Sequence, residues 1–353
     1  MNTNCLFLGP ATGAITGQSK AFNALTAGIP GAKVIDFGER STKIIFFLKA
    51  FLFFSRYRPS VVYFTSSRSL LGFARDFWIV LLAKVFGAEK VVNHLHGADF
   101  VIFRDSAPPL VRRVIDWTYS SIDHSIVLAE QMTAQYACYK TMKVSVIPNF
   151  YDPEEVLDTQ NNFRNDPREC LNVLYLSNLM ASKGIFELIE ACELYKKRFG
   201  HVHLRIAGTP MSDHLMKGSE VMELLRGKLS SFISYEGTVK GSTKAELLRW
   251  AHVLCLPTYY PTEAQPISLI EGLAAGCFLV STKQGYIESI FDQRSGAFVE
   301  PRSPESIYSA LVTAAQFGER LNNISIDNSS IAMNKFSLKK YIESIKRIIE
   351  GTS

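Results

Sequence analysis

The stretch Val253-Leu-Cys-Leu256-Pro-Thr-Tyr-Tyr-Pro261-Thr-Glu263-Ala-Gln265-Pro266-Ile267-Ser-Leu-Ile-Glu271-Gly-Leu-Ala-Ala-Gly276-Cys-Phe278-Leu-Val-Ser281 decides the fold of this 353-residue chain. Two short apolar runs, Val253–Leu256 and Phe278–Ser281, flank a loop broken by three prolines and then a run of good helix formers. Strand, helix, strand in that order is a βαβ unit, and such units build parallel sheets.

The same alternation runs along most of the chain. Candidate strands are Cys5–Leu8, Lys33–Phe37, Val61–Phe64, Lys90–His96, Ser125–Leu128 and Val144–Ile147 in a first series. A second comprises Leu171–Leu176, Val202–Ile206, Ile233–Tyr235, Val253–Leu256 and Phe278–Ser281. Between them lies a polar stretch rich in Pro and Asn, from Pro148 to Pro167, which reads as a linker. The expectation is an α/β protein of two Rossmann-like, doubly wound domains, 1–160 and 168–336. The amphipathic final segment, 337–353, follows the polar stretch Asn322–Ser330 and is expected to pack back on the first domain. Ligands of such sheets bind beyond the carboxyl ends of the strands, here expected between the domains.

Composition narrows the class. Apolar residues are 47% and charged residues 20%, which suits sizeable cores. A net charge of +5 favours anionic small molecules or a membrane surface over nucleic acid, and no arginine-rich arm occurs. The six cysteines are scattered without a C-x-x-C pair and predict free thiols in a reducing, cytoplasmic setting. No secretory leader is read at the start, and no apolar run approaches the ~18 residues of a spanning helix.

Pro266 suits a first helical turn, so Glu263 should stand just before a helix N-terminus and Glu271 two turns along the same side. A helix N-terminus attracts phosphate. A carboxylate before it would face what the phosphate carries, and one further in could accept from a diol. A nucleotide-sugar has that layout. The alternative is that Glu263 is a solvated loop acid and Glu271 a salt-bridged helix acid.

Other segments allow similar double readings. Gly9-Pro-Ala-Thr-Gly13-Ala-Ile-Thr-Gly17 lacks the G-x-G-x-x-G spacing of dinucleotide oxidoreductases but permits close backbone approach at a helix start. Ser182 could cap a helix, placing Lys183 beside its start, where a phosphate could take the ammonium. His94 and His96 could share a face, but no third ligand accompanies them, and no Asp-x-Asp pair exists for a metal–diphosphate complex, so no metal is expected. His96, before Gly97, is the better site candidate. Residues 40–58 hold Arg40, Lys43, Lys49, Arg56 and Arg58 among apolar runs, and read either as a helix on an anionic membrane or as a domain helix with snorkelling ends.

Together these segments resemble the retaining GT-B glycosyltransferases of family 4. Glu263-x7-Glu271 is similar to the family's E-x7-E motif, and Ser177-Asn-Leu-x3-Lys183-Gly184 to its "GRL…KG" segment. His96-Gly97, Asp123–Leu128 and Val146–Asn149 resemble first-domain landmarks; Leu204–Gly208 and Tyr235–Val239 resemble second-domain strands. The resemblance implies a GT-B fold facing across a cleft, and a metal-independent hexosyl-type transferase using a UDP- or GDP-sugar, with no resident cofactor. It implies that Lys183 binds the diphosphate and Glu271 the ribose. Glu263 and the backbone from Ala264 through Gln265 and Pro266 to Ile267 would engage the sugar. Gly17, Asn178, Gly208 and Val239 would complete the donor site, and His96 would contact the transferring sugar. The implied acceptor is a lipid-linked saccharide at the cytoplasmic face of the inner membrane, in O-antigen, capsule or exopolysaccharide assembly. A GT-B sugar-nucleotide epimerase and a nucleotide-sugar-binding scaffold are the alternatives. Two positions depart from the pattern: Asn178 stands where the family usually has a phosphate-binding arginine, and Ala264 replaces a glycine. Lys240 or Arg205 are the candidates to supply the missing cation.

Overall fold

The computed structural model describes residues 4–13, 16–37, 43–156 and 164–351. The chain divides into two units, Met1–Asn149 with Leu338–Ser353, and Phe150–Ser337.

The first unit runs β1 (Cys5–Gly9), α1 (Gly17–Gly28), β2 (Lys33–Asp36), α2 (Lys43–Tyr57), β3 (Val61–Thr65), α3 (Leu70–Val85), β4 (Lys90–His94), α4 (Phe100–Ser106), α5 (Pro109–Ser120), β5 (His124–Val127) and β6 (Lys143–Val146). The strands form one six-stranded sheet in the order β2-β1-β3-β4-β5-β6, every pairing parallel. β1 and β3 are buried throughout, as unbroken apolar strands covered on both faces must be. Helix α2 buries Phe46, Ala50 and Phe54 at four-residue spacing. Its opposite face exposes Ile45, Leu48 and Leu52 beside Lys49 and Arg56. Residues 40–42 lie outside the described residues.

The second unit runs β7 (Leu171–Leu176), α6 (Ile185–Phe199), β8 (Val202–Ala207), α7 (Gly218–Lys228), β9 (Ile233–Gly237), α8 (Gly241–Trp250), β10 (Val253–Leu256), α9 (Ile267–Ala274), β11 (Phe278–Ser281), β12 (Gly296–Phe298), α10 (Pro304–Gln316) and α11 (Arg320–Lys335). Its six strands are ordered β12-β11-β10-β7-β8-β9, again all parallel. Helix α12 (Leu338–Glu350) returns to the first unit, where the Lys90 ammonium donates to the Ile348 carbonyl at 2.8 Å.

Three details differ from the sequence reading. The division falls at Asn149 rather than near residue 160. The Tyr151 amide donates to the Phe336 carbonyl at 3.1 Å, which ties the segment from Phe150 to the second sheet's helices. β12 is a three-residue edge strand, too short for periodicity to mark. The polar stretch Asn322–Ser330 lies inside helix α11, because two of its polar side chains, Asn328 and Ser329, are buried and bonded. Asn328 donates to the Cys277 and Ser295 carbonyls at 2.9 and 3.0 Å, and the Ser329 hydroxyl to Ala274 at 2.9 Å. Tertiary bonds override weak helix propensity there.

Arg164 closes the far side of the second unit. Its guanidinium donates to the carbonyls of Leu248 and Arg249 in the last turn of α8 and to those of Ala275 and Gly276 just past α9, at 2.6 to 3.4 Å. All six cysteines are free thiols; Cys138 is exposed and Cys170 half-buried, and the rest are buried.

Candidate donor site

The second sheet reverses its winding between β7 and β10. β8 and β9 extend it to one side and β10 to β12 to the other. The general ligand position of doubly wound sheets is beyond the strands' carboxyl ends at such a switch point. Lys183 follows β7 and Glu263 follows β10, so one cation and one anion stand at that position.

The two meet directly. The Lys183 ammonium donates to Glu263 Oε2, and the Thr258 hydroxyl donates to the same oxygen at 3.0 Å. Lys183 Nζ also lies 5.1 Å from the Tyr260 ring centre. The side chains are only 12% and 8% exposed, so Glu263 is not a solvated loop acid. The turn is held tightly: Gly184 has φ +76°, and a Cβ there would stand 2.3 Å from the Pro257 carbonyl oxygen. Ser182 does not cap α6; Gly184 takes that position. The Ser182 amide donates instead to Asp213 Oδ2 at 2.8 Å. Burial pushes the Asp213 carboxyl up, but Ser182 and the amides of Leu215 and Met216 more than offset it and hold it down at about 2.

The loop leading into α9 is equally fixed. Ala264 and Gln265 are buried. The Ala264 carbonyl accepts from the Tyr286 amide at 3.1 Å, and the Gln265 side-chain amide donates to the Ser289 hydroxyl at 2.9 Å. Gly285, at φ +60°, packs so closely that a Cβ would lie 2.0 Å from the Glu263 carbonyl oxygen. Pro266 is the N-cap of α9 and Ile267 its first residue.

Glu271, the fifth residue of α9, is only 2% exposed and is salt-bridged. The Lys244 ammonium of α8 donates to its Oε1 at 2.6 Å and to Glu155 Oε2 at 3.1 Å. The sequence motifs do not include Lys244. The signal was available: Lys244, Ala245 and Leu248 fall on one helical stripe, and all three are buried. Glu155 and Thr258 carry no comparable mark.

Asn178 and Gly208 come together beyond β7 and β8. A Cβ on Gly208, at φ +153°, would meet the Ser177 carbonyl oxygen at 1.7 Å. The Gly208 amide donates to the Gly237 carbonyl at 2.8 Å, and Val239, two residues on, packs partly buried against the core. Arg205 does not supply the missing cation. Its guanidinium lies 4.5 Å from the Trp250 ring centre, and Trp250 ends α8 on the amino side of β10. Lys240, exposed at the N-cap of α8, stands at the carboxyl end of β9.

In the first unit, Gly17 opens α1 beyond β1. Thr16 and Ser19 form a reciprocal capping box there. His96 lies two residues beyond β4, with β3 between those two strands. Its ring lies 4.0 Å from that of His94, centre to centre, and its two nitrogens have no hydrogen-bond partner among the described residues. Burial, and then the nearby Arg68 charge, bring its pKa down to about 3, so the ring is neutral at physiological pH. His94 Nδ1 pairs with the Tyr63 hydroxyl at 2.7 Å. Arg68 is itself paired with Asp99 at 2.6 Å, packed where a side chain on Gly97 would clash. Among the described residues, no three His, Cys, Asp or Glu side chains are grouped to hold a metal ion.

Residues 170–316 match the family described as glycosyl transferases group 1. The chain is 25% identical over 213 residues to the phosphatidylinositol N-acetylglucosaminyltransferase gpi3 subunit of Schizosaccharomyces pombe, covering 58% of this chain and 43% of that protein. It is 25% identical over 189 residues to the phosphatidyl-myo-inositol mannosyltransferase of Mycolicibacterium smegmatis, covering 53% and 47%. Each match therefore spans less than half of the relative's length. Among solved structures, Anabaena HepE in complex with UDP and glucose superposes with a TM-score of 0.75 at 13% identity, over 98% of this chain and 99% of that one. The two parallel six-stranded sheets thus have the GT-B fold, and residues 170–316 match the glycosyl transferases group 1 family.

Proposed function

We propose that the chain is a retaining, metal-independent glycosyltransferase that takes a sugar from a nucleotide-sugar. The observation that carries this reading is the Lys183–Glu263 pair at the switch point of a glycosyl transferases group 1 domain. A buried ammonium at the switch point is suited to the departing diphosphate, whose growing charge it would stabilise as a fixed, preorganised donor. Glu263 and the backbone from Ala264 to Ile267 would face the sugar, and Glu271 the ribose. Gly17, Asn178, Gly208 and Val239 are assigned to the donor's surroundings, and the neutral His96 to the reacting sugar. HepE, with UDP and glucose bound, supports a nucleotide-sugar as donor.

The proposed acceptor is a lipid-linked saccharide in surface-polysaccharide assembly at the cytoplasmic membrane face. Two relatives named for phosphatidylinositol substrates support a lipid acceptor. So does α2, whose outward Ile45, Leu48 and Leu52 stand among Lys49 and Arg56, an arrangement that suits an anionic interface. A groove of about 480 Å³ between β2 and α2 includes Ile35, Phe46 and Phe53 in its lining with those two cations. Among the described residues, no helix is long and apolar enough to cross a membrane.

The test is turnover by purified protein in EDTA across a panel of UDP- and GDP-sugars with a lipid-linked acceptor. Sugar transfer that survives chelation is expected. A folded sample that transfers nothing, or that alters the sugar without an acceptor, overturns the reading.

A further inference from the structure

The buried Lys244 has no part in the site as read from the sequence motifs, yet its surroundings are those of a ligand contact. An ammonium loses several kcal/mol of hydration on burial unless it is well paired. Lys244 is 8% exposed and meets two carboxylates, Glu271 at 2.6 Å and Glu155 at 3.1 Å. An ammonium has three donors. Two go to these acids, and the third has no protein partner among the described residues. One donor is therefore left beside a carboxylate oriented by the same group. Donor and acceptor so placed are complementary to a vicinal diol, where one hydroxyl gives its proton and its neighbour offers a lone pair.

We propose that Lys244 is a binding residue for the nucleoside end of the donor. It forms the donating half of a diol site whose accepting half is Glu271. The inference rests on the reading above, that Glu271 faces a ribose. Glu155 serves as the second counter-charge that keeps the ammonium in place, bringing the start of the second unit into the site's support. A hydrogen bond to a charged group typically contributes about 1.5 to 3 kcal/mol, so each ribose hydroxyl should matter by about tenfold or more in affinity.

The experiment is calorimetric titration of the full chain with UDP, 2′-deoxy-UDP, 3′-deoxy-UDP and UMP, comparing wild type, Lys244→Met and Lys183→Ala. Wild type should prefer UDP to the deoxy analogue that lacks the Lys244 contact by about tenfold. In Lys244→Met that preference should shrink to within about twofold, while the preference for UDP over UMP persists. Lys183→Ala should do the reverse. Because Lys244→Met removes the ammonium between buried Glu271 and half-buried Glu155, Lys244→Met with Glu155→Gln provides the same comparison if the single variant unfolds. A folded Lys244 variant that keeps the full deoxy penalty, or that weakens all four ligands equally, overturns the proposal. Wild type that binds neither UDP nor the corresponding guanosine nucleotides overturns the donor-site reading itself, and this inference with it.

Discussion

Lys183 and Glu263, eighty residues apart in the chain, share a hydrogen-bonded ion pair across the point where the second sheet reverses its winding. The pair gives the proposed phosphate cation an internal anionic partner. A bound diphosphate must therefore compete with Glu263 for the same ammonium.

This competition predicts the behaviour of Glu263→Gln. The amide keeps the shape and can still accept from Lys183 and Thr258, but no longer holds the cation by charge. Affinity for the nucleoside diphosphate should rise by about fivefold, the equivalent of roughly 1 kcal/mol, while sugar transfer falls by at least about tenfold. Titration calorimetry and a transfer assay separate the two effects. A tenfold loss of nucleotide affinity would count against the assignment.

Gly285→Ala tests how closely the Glu263 loop is seated. The glycine has φ +60°, and its added methyl would press on the Glu263 carbonyl. A cost of about 1 to 3 kcal/mol is expected from strain and contact together. Transfer should also fall, since the backbone carrying Glu263 must move. Chemical denaturation and steady-state kinetics are the measurements, and an unaltered denaturation midpoint would contradict this packing.

Acid should weaken the second unit through His252. Its Nδ1 accepts from the Asn172 amide at 3.0 Å, so Nε2 carries the proton shared with the Asn165 carbonyl at 2.8 Å. Burial lowers its pKa to about 4, against 6.5 for a free ring. The unfolded chain then binds more protons between those values, so stability falls as pH drops from about 6.5 towards 4. His252→Gln should be less stable than wild type at pH 7, with the gap narrowing near pH 4.5. Urea midpoints at several pH values check this, and a constant gap would refute it.

Asn328→Ala should destabilise the second unit by about 2 to 4 kcal/mol, because two buried carbonyls lose their donor. Asn323→Ala, at an exposed position on the same helix, should change stability by less than about 0.5 kcal/mol. Comparable effects at the two sites would mean that α11 is not anchored through Asn328.

The outward face of α2 predicts membrane binding that depends on charge. Removing two interfacial cations at about 1 kcal/mol each is worth about thirtyfold in partitioning. Lys49→Glu with Arg56→Glu should therefore reduce sedimentation with phosphatidylglycerol vesicles by at least that factor, leaving soluble-nucleotide binding unchanged. Equal sedimentation of both forms would remove α2 from the interface.

The fold was legible where apolar runs are buried on both faces. Leu171–Leu176, Val253–Leu256 and Phe278–Ser281 are strands at the residues expected. It was illegible where a local pattern depends on distant partners. The helix around Asn328 looks like a loop until the Cys277 and Ser295 carbonyls are in place. The site divides in the same way. Glu263 and Glu271 are marked by their spacing around Pro266, whereas the contacts of Lys244 with Glu271 and Glu155 depend on the packing of α8. Arg205 failed as a compensating cation for a geometric reason, since its side chain runs toward Trp250.

The reach of Arg164 has a bearing on how a ligand would be received. One guanidinium grips the trailing carbonyls of α8 and those just beyond α9, the helices that carry Lys244 and Glu271. Two negative dipole ends thus share a single planar cation. Sliding one helix past the other would break several of these bonds together, so the pair should move as one body. The separation of ammonium and carboxylate is then fixed before any ligand arrives, and little ordering entropy remains to be lost on binding. The nucleoside end would behave as a rigid gauge, rejecting a poorly fitting sugar ring rather than adjusting to it.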